Sequence, residues 1–356
     1  MTTKTTYRFK PESLKDFAQN VLVNVSVPKV DAEIVADTLV DADLKGVASH
    51  GFLRLDLYVK RIECGSVNSV TKLEVVNDKG ATLVLDAGNG LGQVAGKRGM
   101  EMAIERAKKS GVSVVSIRNS HHFGMAAYYS EMAAAEGMVG IVATNAVPLI
   151  PAIGGLAPVT GTNPISFAVP TDKEPIVLDM SCSSVAQGKI VAARDKGEKV
   201  PLGWGTDKKG VPTQEPSLIL DGGLILPAAG PKGFGLALIV DILTGGLSGG
   251  ALGNEINSIY KDMNAPNKVS HIFMAINVSN FIDLSGFKTR ITKFAEKIHS
   301  GPKAEGTQSL FVPGEIEYLN KKKNIKEGLP LSGEVYQKLK DLGQRFDVSV
   351  PISENI

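Results

Sequence analysis

Apolar positions recur along the chain with two different periods, and the switching between them lays out the elements. In PESLKDFAQNVLVNV, Leu14, Phe17, Val21 and Leu22 form one helical stripe, and DAEIVADTLVDADLKG repeats the pattern, so residues 11 to 46 are predicted helical. TKLEVVND and ATLVLDA read as strands around an Asp-Lys-Gly turn, followed by a helix from about Leu91 to Lys109. GVSVVSIRN is predicted as a third strand, FGMAAYYSEMAAAEG as a helix and MVGIVATN as a fourth strand. The middle of the chain, to about Gly230, is rich in glycine and proline, with short strands such as PISFAVP and PIVLDMS. A helix from about Lys232 to Thr244, a Gly/Asn-rich connection to about Asn267, the strand HIFMAINVSNF and two helices, SGFKTRITKFAEKIHS and SGEVYQKLKDLGQRF, complete the pattern. Strands interleaved with helices predict an α/β protein, and 356 residues predict two lobes sharing an interface.

Composition narrows the function classes. The net charge of +2 comes from 39 basic and 37 acidic residues, and the only dense basic run is Lys321 to Lys323 with Lys326 nearby, so nucleic acid is not the expected partner. Cys64 and Cys182 are too few and too far apart for a disulfide framework or a zinc knuckle, which fits a reducing compartment. No apolar segment follows the lysines near Met1. The run LALIVDIL is broken by Asp241 and is far shorter than the roughly 20 residues that span a bilayer. The expectation is a cytoplasmic protein without a membrane partner.

Candidate chemistry begins with histidine. Two of the five histidines are adjacent in RNSHHFGMAAYY, where a predicted strand hands over to a helix, the position at which α/β proteins bind ligands. One imidazole of the pair is expected to face a site and the other to back it, and histidine titrates near enough to neutrality to accept and return a proton. A third imidazole lies in SHGFLRLDLY, where Ser49 is placed to cap a helix and His50 and Arg54 share a face at i, i+4. Arg54 is suited to gripping a carboxylate through paired hydrogen bonds. Spacing alone favours an ordinary capped amphipathic helix and packed histidines over a site. A metal-dependent hydrolase using His50, His121 and His122 is the alternative from another class, although RNSHHFG holds no Asp or Glu and HExxH and CxxC spacings are absent.

Two familiar patterns fail on context. GNGLG at 88 to 92 lacks the third glycine of a dinucleotide fingerprint, since Gln93 stands there, and GLSGG around Ser248 has a helix before it where a nucleophile elbow needs a strand. GTNPISF, LDMSCSSVAQGKI and LPAAGPKGFGLAL place Thr162, Asn163, Asp179, Ser181, Lys189 and Lys232 at element ends, where they are candidates for a phosphate- and ribose-binding cleft or simply turns and caps.

Taken in order, ADLKGVASHGFLRLDLYVKRI, SIRNSHHFGMAAYYSEMA, GTNPISFAVPT, VLDMSCSSVAQGKI, PLGWGTDKKGVPT, PAAGPKGFGLALIVDILTGGLSG and the late VPGE resemble the type-2 malate/L-lactate dehydrogenase family over nearly the whole chain. That resemblance implies a two-lobed α/β fold with a mixed-sheet cofactor domain, distinct from a standard Rossmann fold. The lobes are expected to be a helical substrate and dimerisation lobe, 1–118 completed by 255–356, and a nicotinamide-cofactor lobe, 119–254. The implied activity is hydride transfer between NAD or NADP, with NAD slightly favoured, and a small 2-hydroxy acid or its 2-oxo partner. Malate/oxaloacetate comes first, and lactate, sulfolactate, ureidoglycolate or a cyclic imino acid are the alternatives. By the resemblance His122 is the proton acceptor and donor, and Ser49, His50, Arg54 and Tyr58 form the helix that contacts substrate and nicotinamide, Arg54 gripping the carboxylate. His121 is left as support. Thr162, Asn163, Asp179, Met180, Ser181, Lys232 and Gly314 fall in the cofactor-side motifs, no metal is implied, and a homodimer is expected. The chain departs from the family pattern at Pro231, where GPKG replaces GHKG, at ASHG in place of DSHG, and at AQGKI in place of ARGKI.

Overall fold

A computed structural model describes residues 6–353. The first lobe forms because the stripes foreseen on helices α1 (Pro11–Asn24) and α2 (Lys29–Leu44) meet each other. Leu14, Phe17, Val21, Leu22, Val35 and Leu39 are buried in one core, which Leu339 and Leu342 of a helix late in the chain close from the other side. Fully burying such a side chain stabilises the fold by about 1.5–3 kcal/mol. The lobe is also stitched by strand β1 (Thr6–Phe9), whose antiparallel partner runs from Leu329 to Ser332 with Phe9 opposite Leu329.

Two 3-10 turns and α3 (Leu55–Glu63) lead into the central sheet. In chain order its first strands are β2 (Glu74–Asp78), β3 (Thr82–Asp86), β4 (Val112–Ser120) and β5 (Met138–Thr144), with α4 (Gly92–Ser110) between β3 and β4 and α5 (Ala126–Ala135) between β4 and β5. After the short hairpin of β6 (Ile150–Pro151) and β7 (Pro158–Thr160) come β8 (Ile165–Val169) and β9 (Ile176–Met180). A small unit follows, built of α6 (Gln187–Lys196), β10 (Gly205–Thr206), α7 (Pro216–Leu220) and β11 (Leu224–Ile225) around Ile190, Val200 and Ile219. Then α8 (Pro231–Asp241) runs on through a π-helical turn to Gly246, and β12 (Val269–Asn277) returns to the sheet. The chain finishes with α9 (Leu284–His299), α10 (Glu315–Glu327), β13 (Leu329–Ser332) and α11 (Gly333–Phe346).

The seven strands lie in the order β2-β3-β4-β12-β5-β8-β9. Only β3 and β4 pair in parallel; β12 runs antiparallel to both β4 and β5, and β8 runs antiparallel to β5 and β9. It follows that β3, β4, β5 and β9 all point the same way, so the residues after Asp86, Ser120, Thr144 and Met180 emerge from one end of the sheet. The mixed order is not that of a Rossmann fold, as expected. The helix α4 lies tight on one face because Gly99 has no side chain there: a Cβ would stand 2.7 Å from Ile117 and 3.0 Å from Phe273. On the other face Val240 of α8 packs with Ala143 and Ile272, and α8 with its extension leaves Leu238, Ile239, Ile242, Leu243 and Leu247 exposed.

The sequence pattern missed α10, which carries the basic run. Its residues EIEYLNKKKNIKE are polar almost all round, so no stripe marks them, and the helix is held instead by Lys321 on Asp41 (2.6 Å) and Asn324 on the carbonyl of Leu44. Lys321 is therefore an intramolecular partner and no part of a free basic patch.

Candidate active site

Strand β4 delivers both histidines to the end of the sheet and turns their rings apart. Nε2 of His121 accepts a hydrogen bond from Nε of the fully buried Arg61 at 2.7 Å. The remaining donors of that guanidinium go to the carbonyls of Ile259 (3.3 Å), Asp262 (3.1 Å) and Ala265 (2.6 Å). His122 faces the other way. Its Nδ1 meets the Tyr58 hydroxyl at 2.7 Å, and its ring stacks on His50 with centroids 5.5 Å apart and planes 18° from parallel. A fourth imidazole, His271 at the start of β12, bridges the Thr144 and Ser120 hydroxyls at 2.8 Å each and stacks on Phe123, fixing the floor beneath the pair.

The segment ASHGFLR corrects one expectation. It is not a capped helix start: it makes two 3-10 turns, Ala48–His50 and Phe52–Arg54, and the α-helix begins only at Leu55. The Ser49 hydroxyl makes no cap and meets Nδ1 of His50 at 2.8 Å. Nε of Arg54 donates to the carbonyl of Ser49 at 2.6 Å, so the two residues hold each other. The physical reason for the departure is Asp43. Its buried carboxylate accepts from the Phe52 amide at 2.7 Å and fills the space beside Gly51, where a Cβ would come within 2.1 Å of it. Gly51, at φ −90° and ψ −146°, leaves the helical region to bring the Phe52 amide to that carboxylate, which separates the two turns.

Electrostatics follow from burial. Desolvation disfavours the imidazolium, so His50 is pushed down to about 4, with Arg54 adding to the effect. His121 falls to about 3, by burial and then by Arg61, and His271 to about 3 by burial. His122 lies well below its ordinary value, through burial first and then His50, Arg54 and the other two histidines. Burial pushes the Tyr58 hydroxyl up and makes the Arg54 cation harder to keep. Asp43 is raised to about 7 by the same desolvation, with only the Phe52 amide opposing it. Among the described residues Arg54 meets no carboxylate: its polar partners are the Ser49 carbonyl and the hydroxyl of Tyr260. The cluster thus pairs neutral imidazoles with a half-buried cation that lacks an anion.

The residues expected on the cofactor side lie along β8, β9 and the start of α8. The amide of Cys182 donates to the Thr162 carbonyl at 2.7 Å, and the Cys182 carbonyl accepts from Ala228, which ties LDMS and PAAGPKG together. Asp179 accepts from the Ala127 amide at 2.8 Å in the first turn of α5, directly after HHFG; surrounding protein raises its carboxyl to about 6 although its surface remains open. Met180 and Lys232 are exposed and Ser181 half-buried, its hydroxyl 3.0 Å from that of Ser183. Gly314, at φ +90°, seats the start of α10 against Val177, two residues before Asp179. Asn163 is different: it is fully buried, and its amide is committed to Ala146, Thr160 and Ala237.

Sequence reading missed Asp43, Arg61 and Tyr260. Arg61 had a signal, since it follows Tyr58 by three residues on the same helical face, but its carbonyl partners Ile259, Asp262 and Ala265 lie far downstream in the chain. GNGLG also finds its reason here. A Cβ on Gly92 would stand 2.0 Å from the His121 carbonyl and 2.6 Å from that of His122, so this glycine allows α4 to press against the histidine pair. Among the described residues no three His, Cys, Asp or Glu side chains gather as metal ligands. His121 is turned to Arg61, which leaves the hydrolase alternative without a ligand set.

The model of the malate/L-lactate dehydrogenase family matches residues 9–340. The chain belongs to this family. It is 39% identical over 349 residues to the malate dehydrogenase of Pyrococcus abyssi, covering 96% of this chain and 95% of the relative. It is 33% identical over 329 residues to the ureidoglycolate dehydrogenase (NAD(+)) of Escherichia coli K12, covering 92% and 93%. The solved sulfolactate dehydrogenase of Methanocaldococcus jannaschii superposes with a TM-score of 0.91 at 39% identity, covering 96% of this chain and 98% of that one. The chain is thus a dehydrogenase with the fold of its relatives, acting within the 2-hydroxy-acid class, and a nicotinamide cofactor goes with that family.

Two measurements check the electrostatics. In nitrogen-labelled histidine NMR, His50, pushed down to about 4, and His121 and His271, pushed down to about 3, are expected to remain neutral well below the ordinary 6.5, with His122 displaced in the same direction. A resonance of this group titrating near 6.5 contradicts the desolvated site. Asp43 gives the opposite sign. Its folded pKa of about 7 exceeds the ordinary 3.8, so the folded state binds the extra proton and its contribution is lost as pH rises through 7. Asp43→Asn, which keeps an acceptor for Phe52, is expected to raise stability over wild type near pH 8 by on the order of a few kcal/mol, with the difference shrinking toward pH 4. Urea unfolding of both proteins at each pH isolates this term from the histidines, and an equal difference at both pH values refutes it.

Proposed function

We propose that the chain is an NAD(P)-dependent 2-hydroxy-acid dehydrogenase, with malate/oxaloacetate the first pair to try. One observation carries the reading: the Arg54 guanidinium, anchored on Ser49 and facing no carboxylate among the described residues, stands beside the neutral His50 and His122. An anionic substrate supplies the missing charge. Arg54 takes the C1 carboxylate, which leaves the C2 oxygen to His122, while Ser49 and His50 orient that oxygen or the cofactor's carboxamide. For His122 to act as a base at Nε2 its proton must sit on Nδ1, with the Tyr58 oxygen at 2.7 Å accepting it and the longer 3.4 Å contact from the Gly124 amide given up. Oxidation then moves the hydroxyl proton to Nε2 of His122 as the C2 hydride leaves. Reduction runs the same path backwards, and the bound carboxylate offsets the positive field of Arg54 that otherwise opposes an imidazolium. His121, locked by Arg61, supports the ring beside it.

The nicotinamide supplies or accepts the hydride. The residues at the end of β9 fit such a group: an open carboxylate at Asp179, the exposed Lys232 and the exposed Met180 lie along a strip reaching from the histidines to the first turn of α8. We assign Asp179, Met180, Ser181, Lys232, Thr162 and Gly314 to this strip, within a cofactor lobe of 119–254, with Asn163 shaping it from below. NAD is tried before NADP. Lactate, sulfolactate, ureidoglycolate and cyclic imino acids are the other substrates of a panel. We also place the enzyme in the cytoplasm, where free Cys64 and Cys182 stay reduced; among the described residues no helix is long and apolar enough to cross a membrane.

The reading is tested by following loss of reduced cofactor absorbance with oxaloacetate, using NADH and NADPH separately, and then with the panel. Turnover of no 2-oxo acid or imine overturns it. His122→Ala is expected to cut turnover by about 100- to 10,000-fold while leaving cofactor binding intact, whereas His121→Ala mainly lowers thermal stability. Equal, mild losses from both variants contradict the division of roles. The exposed stripe Leu238, Ile239, Ile242, Leu243 and Leu247 is a surface for a second copy of the chain. Light scattering is expected to give a homodimer, and a fully active monomer contradicts this.

A further inference from the structure

The connection between α8 and β12 bears on Arg54 in a way that the proton-transfer scheme does not use. It is a closed loop. At its base the Asn257 amide donates to the Asn267 carbonyl at 3.1 Å, and the Asn257 side chain reaches the Pro266 carbonyl at 2.7 Å. Its interior is pinned by the three carbonyls that Arg61 holds. Between those anchors Tyr260 projects outward. The residue is 54% exposed, so burial of apolar surface does not explain its position. What it touches is Arg54: Nη1 donates to the phenolic oxygen, and the guanidinium carbon lies 5.5 Å from the ring centroid.

Two features of this contact give it chemical meaning. Arg54 has already committed Nε to the Ser49 carbonyl, so the Nε/Nη side of its fork is closed and only the Nη donors are left for a ligand. The Tyr260 oxygen meets one of those donors as an acceptor, and among the described residues its own O–H proton has no acceptor. When an anion reaches Arg54 it competes with the phenolic oxygen for Nη1, and the free O–H then finds an acceptor beside it.

We propose that Tyr260 is a specificity-determining residue whose O–H joins the Arg54 guanidinium in binding the substrate's C1 carboxylate. The inference rests on the 2-hydroxy-acid reading above. The phenol selects for a charged carboxylate over a neutral ester or amide, because a hydrogen bond to an ionised acceptor is stronger than one to a neutral one. The loop is rigid where Arg61 holds it, so Tyr260 reaches the anion by rotation of its side chain, without refolding of the loop.

The test compares wild type with Tyr260→Phe, which keeps the ring over Arg54 and removes only the hydroxyl. The readouts are KM and kcat for a 2-oxo acid that wild type reduces, the Kd of the reduced cofactor by fluorescence, and kcat/KM for the 2-oxo amide of the same skeleton. The expected result is a KM for the acid raised about tenfold, as for loss of one charge-assisted hydrogen bond, with kcat and cofactor Kd unchanged. The amide is expected to show no difference between the two proteins. An unchanged KM for the acid overturns the inference, as does an equal loss on acid and amide or a parallel rise in cofactor Kd, either of which marks a merely structural role. A wild type that reduces no 2-oxo acid and no imine overturns the 2-hydroxy-acid reading and this inference with it, whereas an active wild type with an unaltered variant overturns the inference alone.

Discussion

The hydrogen bond from Arg61 to His121 is the constraint on which the rest of the site is hung. A guanidinium removed from water is costly unless its donors are met, and here they are met by one imidazole nitrogen and three carbonyls, all uncharged. That choice of partners has two effects at once. It requires His121 to be neutral at Nε2, and it fixes the backbone of the histidine pair so that the next ring emerges on the opposite side, against Tyr58 and His50. The same cation reaches across to the loop that carries Tyr260. One buried side chain therefore sets the relative position of the His122 ring, the helix that supplies Tyr58 and the loop that flanks Arg54.

The architecture makes the site possible by an arrangement of strand directions. Because β12 enters the middle of the sheet antiparallel to both neighbours, β4 and β5 keep the same direction without being hydrogen-bonded to each other. Their ends are held apart by the width of one strand, and the first residues of β12, among them His271, fill the gap. The glycine-rich turn after β3 serves the packing of α4 against the two histidine carbonyls. In a parallel doubly wound sheet the same kind of turn cradles a phosphate; here Gly92 is already occupied by protein.

Legibility in the sequence tracked the range of the interactions. Where a stripe is decided within one element, as with Leu14, Phe17, Val21 and Leu22 of α1, or the alternating residues of β3 and β4, periodicity was enough. The handover from strand to helix at His121 and His122 was equally plain, and the ordered motifs carried the grouping of Ser49, His50, Arg54 and Tyr58. What could not be read depends on distant partners. The turns at ASHG follow from the carboxylate of Asp43 sitting against Gly51, α10 is fixed by Lys321 and Asn324 on α2, and Arg61 is defined by a loop far downstream. Asn163 shows the converse: its motif suggested contact with a ligand, while its amide is fully used in holding three protein segments together.

The pairing of β1 with β13 has a consequence for how the protein comes into being. Thr6 to Phe9 lie opposite residues 329 to 332, and α11 then closes the core over α1. Contacts so widely separated along the chain form late, because a long loop must close before they give any return. On a ribosome the central sheet can be assembled from residues already synthesised, while the lobe that carries Ser49, His50 and Arg54 waits for β13 and α11 to appear. The core beneath Arg54 is thus completed only after β13 and α11 have been made, and a chain cut before them presents the histidines that follow β4 without a settled Arg54.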